Sequence, residues 1–358
     1  MNEWRDNENY YRFHTDLQAY PDAWCYVVWS RRGPGKTYSA LRYAYEENIP
    51  ICYMKRTKDD VETVCGVHAG IDLSPYVPIN RDGHYHITSA MIHKGIGGFY
   101  DQVDEDGKIS GAPFSYIVAL NALKTVKGFD LSVCDWMLLD EFIPQAGEIV
   151  RHKEGEMLLD MYMTIARDRV KRGRGDLKLI LFANAENIST PITNELEIVD
   201  TMMDMQSLGL NKYYMEERGI LLHHITEEEV PLQEAEKTGI YKAMQGTSWG
   251  AKAFGGEFAN NDFYNVFPKV NMKNYVPVVA WKYKNEYTYV YRREEMLYFT
   301  TSRNDVCEVY DLDRENDQKR FYYDWVIDLR NECIENRCKF KKYTMYDLLI
   351  NYKSFFKI

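Results

Sequence analysis

Apolar residues in this chain fall into short runs separated by polar turns and by stretches with helical spacing. That pattern predicts strands alternating with helices. The runs WCYVVW (24–29), IPICYM (49–54), FSYIVAL (114–120), WMLLDEF (136–142) and LKLILFAN (177–184) are each short enough for a strand. Several are apolar nearly throughout, as strands buried on both faces require. Between the first two, Tyr38 to Glu47 place Leu41, Ala44 and Tyr45 on one helical face, and a second apolar helix is expected around Met157–Ile165. Residues 1–23 predict an N-terminal helix or arm, with Tyr20-Pro21-Asp22 turning into the first strand. Residues 60–93 mix helix and short strands. There, His84-Tyr85-His86 alternate like an exposed strand face, and no carboxylate or Cys stands at ligand spacing to make a metal site. Residues 96–119 predict a hairpin with its turn at Asp104-Glu105-Asp106-Gly107, and 212–225 a strand pair turning at Gly219 that closes the sheet.

The second half reads differently. From 226 to 268 the chain is acidic, then helical, then rich in glycine (Gly246, Gly250, Gly255, Gly256), as expected of a lid and linker. VPVVAWKY, EYTYVYRR and EMLYFTTS within 276–302 predict an antiparallel meander with turns at Asn285 and Arg293-Glu294, followed by helices at 316–334 and 344–355. The division expected is 1–225, 226–268 and 269–358. A length of 358 residues accommodates two domains at about 150 residues each.

Composition narrows the class. Hydrophobic residues make up 45%, enough for a sizeable core. No run reaches the roughly 18 apolar residues of a membrane span, so no membrane partner is expected. The opening MNEWRDNENYYRFH is too polar for a signal peptide. Seven cysteines without a CxxC pair point to a reduced, cytoplasmic protein without zinc. Net charge is −10 with a pI near 5.4, against the basic footprint of a tight, static nucleic-acid binder. Contact with a polyanion is then local or transient. The 29 tyrosines are spread along the chain and serve packing.

The candidate chemistry begins after the first strand. Ser30-Arg31-Arg32-Gly33-Pro34-Gly35-Lys36-Thr37-Tyr38 departs from G-x-x-x-x-G-K-[ST] only at Ser30, which stands where the first glycine belongs. Gly33 and Gly35 allow backbone N–H groups to turn towards β- and γ-phosphate oxygens, and a helix starting near Lys36 adds its positive end. Lys36 would neutralise phosphate charge and Thr37 would ligate Mg²⁺. The pattern implies ATP and Mg²⁺ as cofactors. About 100 residues on, the apolar run from Trp136 ends in Asp140-Glu141. There Asp140 would hold Mg²⁺ and Glu141 would orient and deprotonate an attacking water.

Other residues leave two readings open. Arg167-Asp168-Arg169-Val170-Lys171-Arg172-Gly173-Arg174 is either a solvated loop or the source of an arginine, Arg167 or Arg169, that reaches the γ-phosphate of a neighbouring subunit. Asn184, at the end of its strand, either senses a γ-phosphate beside Glu141 or caps the following segment. Arg56 either reaches phosphate or is a solvated strand end. Lys339, Lys341 and Lys342 serve binding or are solvated.

Taken in order, SRRGPGKT (30–37), KTVKG (124–128), WMLLDEF (136–142), RDR (167–169) and LILFANAEN (179–187) resemble a phage double-stranded DNA packaging ATPase. The likeness is to the small packaging ATPases of short-tailed phages of the phi29 type, and more distantly to large terminase subunits. It covers roughly residues 20–225. The resemblance implies an α/β P-loop NTPase core of the additional-strand, catalytic-glutamate kind with a smaller C-terminal α+β domain. It implies a homo-oligomeric ring, a pentamer, at the portal of a procapsid in the host cell cytoplasm, translocating double-stranded DNA. The sequence does not choose whether an RNA scaffold joins motor and portal. Carried over by position, Lys36 and Thr37 bind phosphate and Mg²⁺, Asp140 binds Mg²⁺, Glu141 is the base, Asn184 couples, and Arg167 or Arg169 is the inter-subunit finger. The meander and helices resemble the start of an RNase H-like nuclease, but Val276 to Tyr283 carry no acid where two-metal cutting needs one. A degenerate domain that binds nucleic acid or a partner is expected. The competing readings are a P-loop kinase or other DNA-independent NTPase, and a non-catalytic nucleotide-binding scaffold.

Overall fold

The computed structural model describes residues 3–68, 71–102, 108–122, 126, 128–145, 147–148, 150–167, 169–232, 238–258, 261–302 and 307–358. The expected turn at Asp104-Glu105-Asp106-Gly107 lies outside them, as do Lys124, Thr125, Lys127 and Asp168. The chain divides into two compact units, one of residues 1–196 and 205–260, the other of 197–204 and 261–358. The boundary falls inside the expected linker, and residues 226–260 group with the first unit.

That unit is built on nine strands: β1 (Cys25–Ser30), β2 (Ile51–Lys55), β3 (Thr88–His93), β4 (Ile96–Tyr100), β5 (Ser115–Ala119), β6 (Trp136–Asp140), β7 (Lys178–Asn184), β8 (Lys212–Met215) and β9 (Ile220–Ile225). Their order across the sheet is β8-β9-β1-β7-β6-β2-β5-β4-β3. The six from β9 to β5 run parallel, while β8, β4 and β3 join antiparallel at the edges. Every residue of β1 is buried, as its apolar and β-branched run anticipates. The strand β7 lies between β1 and β6 although it follows both in the chain. Its register sets Asn184 beside Ser30 and Phe182 beside Asp140, so three carboxyl ends meet at one edge. That edge is where open α/β sheets carry ligands.

The N-terminal arm contains the helix α1 (Phe13–Ala19). Phe13 meets Tyr26, Trp136 and Phe182 edge-on at centroid distances of 5.6, 5.6 and 5.5 Å, which ties the arm to three central strands. Each such pair contributes about 0.5–1.5 kcal/mol beyond its burial. One expectation is corrected. Residues 84–87 form no strand face; His84, at φ 54°, ends the helix Val77–Gly83 in the left-handed region, and Tyr85 turns inward to donate to Glu46 at 3.0 Å. The histidine alternation is a helix stop and a loop.

The second unit holds β10 (Val276–Tyr283), β11 (Glu286–Arg293), β12 (Met296–Thr300), β13 (Val309–Asp311) and β14 (Cys338–Phe340), in the order β13-β10-β11-β12-β14. The expected meander is β10 to β12. Its first turn has positive φ at both Lys284 and Asn285, the twist that suits a two-residue hairpin. The flanking strands β13 and β14 pair parallel with β10 and β12. Asp200 belongs to this unit because it accepts from Thr344 N–H at 3.0 Å and Thr344 Oγ1 at 2.8 Å. The three C-terminal lysines make local contacts. Lys339 lies over the Phe267 ring at 4.7 Å, Lys341 bonds Thr301 at 2.7 Å, and Lys342 pairs with Glu286.

Candidate functional site

The loop after β1 turns on two glycines, Gly33 at φ 93° and Gly35 at φ 87°, a region side chains rarely adopt. The helix α2 (Lys36–Glu46) starts at once, and no side chain caps its first turn. Its amino end therefore points unclaimed N–H groups into the loop, the arrangement that binds anions. Ser30 needs no left-handed backbone, which explains why serine fits where the motif has glycine. Its hydroxyl donates to Arg31 O and accepts from Lys36 Nζ, both at 2.5 Å. Lys36 Nζ also reaches Arg31 O and Asn184 Oδ1, each at 3.3 Å.

Thr37 Oγ1 donates to Asp140 Oδ2 at 2.8 Å, and Tyr53 donates to the same oxygen at 3.3 Å. A hydroxyl beside a carboxylate is an oxygen set suited to Mg²⁺. Glu141 follows at φ 57°, a non-glycine residue in the left-handed region costing about 1–3 kcal/mol. Arg56 holds it there by donating to the carbonyls of Glu141 and Phe142 at 3.2 and 3.0 Å. Arg56 is itself fixed by Glu154 at 2.6 Å and Glu148 at 2.9 Å, so it is not a solvated strand end. Gln145 donates to Glu141 Oε1 at 3.2 Å and accepts from Arg32 at 2.9 Å. Arg56 was invisible as a positioning group because its partners are distant in sequence, and so was the link from Gln145 to Arg32.

These residues enclose a cleft of about 340 Å³ lined by Arg32, Gly33, Pro34, Gly35, Lys36, Thr37, Tyr38, Asp140, Glu141 and Asn184. Asn184 thus faces the cleft beside Glu141. Arg31 is buried and donates to Pro231 O at 3.3 Å. The two candidate fingers separate. Arg169 is 2% exposed and donates to the carbonyls of Ser132 (3.0 Å), Cys134 and Gly175 (3.1 Å) and to Asp135 at 2.7 Å. Ser132, Cys134 and Asp135 lie just before β6 and Gly175 just before β7, at the amino ends of those strands and away from the cleft, so Arg169 is a structural residue. Arg167 is exposed at the end of the helix Glu154–Ala166.

Residues 226–232 and 238–258 include segments that pack beside the loop and β1. Gly256, at φ 68°, packs so tightly that a Cβ there would lie 2.4 Å from Arg31 N. His224 stacks on Trp29 at 5.4 Å, and Trp29 also meets Phe258 at 5.9 Å.

Burial lowers the Lys36 ammonium to about 8, with Asp140 opposing the fall. Were a polyphosphate to bind there, it would favour the charged form, and its affinity would drop as pH rises through that value, by up to about tenfold per pH unit. Isothermal titration with MgADP checks this, and a flat profile up to the ordinary lysine range would contradict the burial of Lys36.

No known sequence family matches the chain, and no curated protein matches it. Its fold is similar to two solved structures. One, described as the phage phi29 viral genome packaging motor assembly, is 16% identical with a TM-score of 0.61, over 97% of this chain and 98% of that one. The other, the phi28 gp11 DNA packaging motor, is 16% identical with a TM-score of 0.59, over 98% and 99%. At that identity the likeness establishes a shared fold.

Proposed function

We propose that this chain is an ATP-driven motor that translocates double-stranded viral DNA into a procapsid, acting as a homo-oligomeric ring with active sites between subunits. The observation that carries the hydrolytic part is Glu141 held beside the Thr37–Asp140 pair, at the mouth of a loop presenting Lys36. The strand order supports it, since β7 inserted between β1 and β6 is the additional-strand arrangement of catalytic-glutamate P-loop ATPases. The step from hydrolase to packaging motor rests on the fold shared with packaging motors over nearly the whole of each chain.

In this reading the N–H groups at the start of α2 and Lys36 cradle the β- and γ-phosphates, and Thr37 and Asp140 hold Mg²⁺. When bound, Mg²⁺ supplies charge that stabilises the phosphoryl group in transfer. Glu141 takes a proton from the attacking water, and Asn184, bonded to Lys36, senses whether the γ-phosphate is present. Arg167 of one subunit neutralises the phosphoryl charge at the next. The portal and procapsid in the host cytoplasm are the partners, directly or through an RNA scaffold, with a pentameric ring as the implied assembly.

A P-loop kinase is the alternative, and the Asp140-Glu141 pair counts against it because a glutamate there suits activation of water rather than of an acceptor. Phosphate release from ATP, measured with and without double-stranded DNA over a series of protein concentrations, separates the two. A rate that rises with DNA and faster than linearly with protein is expected. Hydrolysis indifferent to DNA and linear in protein would sink the motor reading.

A further inference from the structure

His223 on β9 is fully buried, and both of its ring nitrogens meet carboxylates: Nδ1 lies 2.6 Å from Asp16 Oδ2 and Nε2 lies 2.7 Å from Glu229 Oε2. A neutral imidazole has one donor and one acceptor nitrogen, so only the doubly protonated ring satisfies both partners. Burial opposes that charge, but the bonds to Asp16 and Glu229 outweigh it and raise the His223 pKa. Asp16 and Glu229 are in turn held low against their own burial, chiefly by His223.

The two carboxylates are not equivalent. Asp16, from α1, is wholly buried and also accepts from Tyr11 Oη at 2.6 Å and Lys212 Nζ at 2.9 Å. Glu229 retains 29% side-chain exposure, and Lys212 stands 3.6 Å away. The neighbouring His224 turns to Trp29 instead. A ring that loses one proton therefore keeps Asp16 and releases Glu229 to water.

Glu229 belongs to the arm 226–232, whose Pro231 carbonyl receives Arg31 of the Gly-rich loop. Leu232 of the same arm walls a cavity of about 410 Å³ together with Arg31, Arg32 and Asn184. The cluster touches the loop from the other side as well, since Tyr11 N–H donates to Pro34 O at 2.8 Å. We propose that Asp16, His223 and Glu229 are positioning residues for the phosphate site, an imidazolium clasp that fixes the arm 226–232 against Arg31. This rests on the nucleotide site proposed above. The clasp is complete below about pH 6.5, the ordinary histidine value, and opens as pH rises through the raised value.

The test is binding of mant-ADP with Mg²⁺ between roughly pH 6 and 9 for the wild-type chain, His223→Gln and Glu229→Gln, with hydrogen exchange at 226–232 read in parallel. Both variants are expected to bind about three- to thirtyfold more weakly than wild type at the acid end, and wild type to converge on them as pH rises. The limb from Lys36 is common to all three. Relative to the intrinsic amide rate at each pH, the arm should be weakly protected in Glu229→Gln throughout and should lose protection with rising pH in wild type. Glu229 is partly exposed, so its variant is expected to fold even if His223→Gln does not. Profiles and exchange that track wild type throughout would overturn the clasp alone. A wild-type chain that binds no mant-ADP at any pH would overturn the nucleotide site and the clasp with it.

Discussion

Under the proposed function, Glu141→Gln is expected to lower ATP hydrolysis by about a hundred- to ten-thousandfold, the usual weight of a general base, while MgATP still binds. The substitution keeps the shape of the side chain and its bond from Gln145, because the amide oxygen of the new residue can accept as Oε1 does now. Arg56 grips the backbone carbonyls of residues 141 and 142 and is indifferent to the change. Thr37 and Asp140 keep their contact. What disappears is the carboxylate charge, and with it the proposed proton acceptor. Single-turnover hydrolysis beside nucleotide titration makes the comparison, and a variant that retains its rate would remove Glu141 from the chemistry. A variant that loses binding in proportion to rate would make it a structural residue instead.

Arg169→Met is expected to cost about 2–4 kcal/mol of stability, because it strands the buried carbonyls of Ser132 and Cys134, while the half-exposed Asp135 keeps Arg174. The urea midpoint measures it. Arg167→Ala, at an exposed helix end, should shift stability by less than about 0.5 kcal/mol. Under the proposed function it should nevertheless lower hydrolysis of the assembled protein by roughly a thousandfold, the effect of losing a finger supplied in trans. The two arginines are two residues apart, yet the expected outcomes are opposite. Arg169→Met with an unchanged midpoint and a collapsed rate would reverse the assignment.

How much of this was legible depended on whether the signal was local. The strand–loop–helix at 24–46 and the apolar run ending in Asp140-Glu141 carry their geometry in adjacent residues, and the structure brings them together as read. The meander at 276–302 was legible for the same reason, through alternation and turn residues. Sheet order was not, since no local pattern states that β7 enters between β1 and β6. The strand β3 was lost in a mixed stretch because TSAMIH is half-exposed at a sheet edge and has no apolar run to announce it. Arg167 and Arg169 look alike in sequence, and only the carbonyls of Ser132 and Cys134, more than thirty residues away, decide which is buried. The clasp was likewise hidden: Asp16, His223 and Glu229 are ordinary residues until the N-terminal arm crosses beside β9.

The helix from Glu154 to Ala166 has two ends with different attachments. At its start, Glu154 is locked to Arg56 at 2.6 Å, and Arg56 in turn holds the carbonyl of Glu141. At its finish stands Arg167. Thirteen residues of helix span about 20 Å, and a helix of that length moves as a rod. One stiff element therefore links the turn at Glu141 to an exposed arginine about 20 Å away. Under the proposed function, a shift of that turn on hydrolysis would reach this second surface through the helix, with no need for the whole unit to deform.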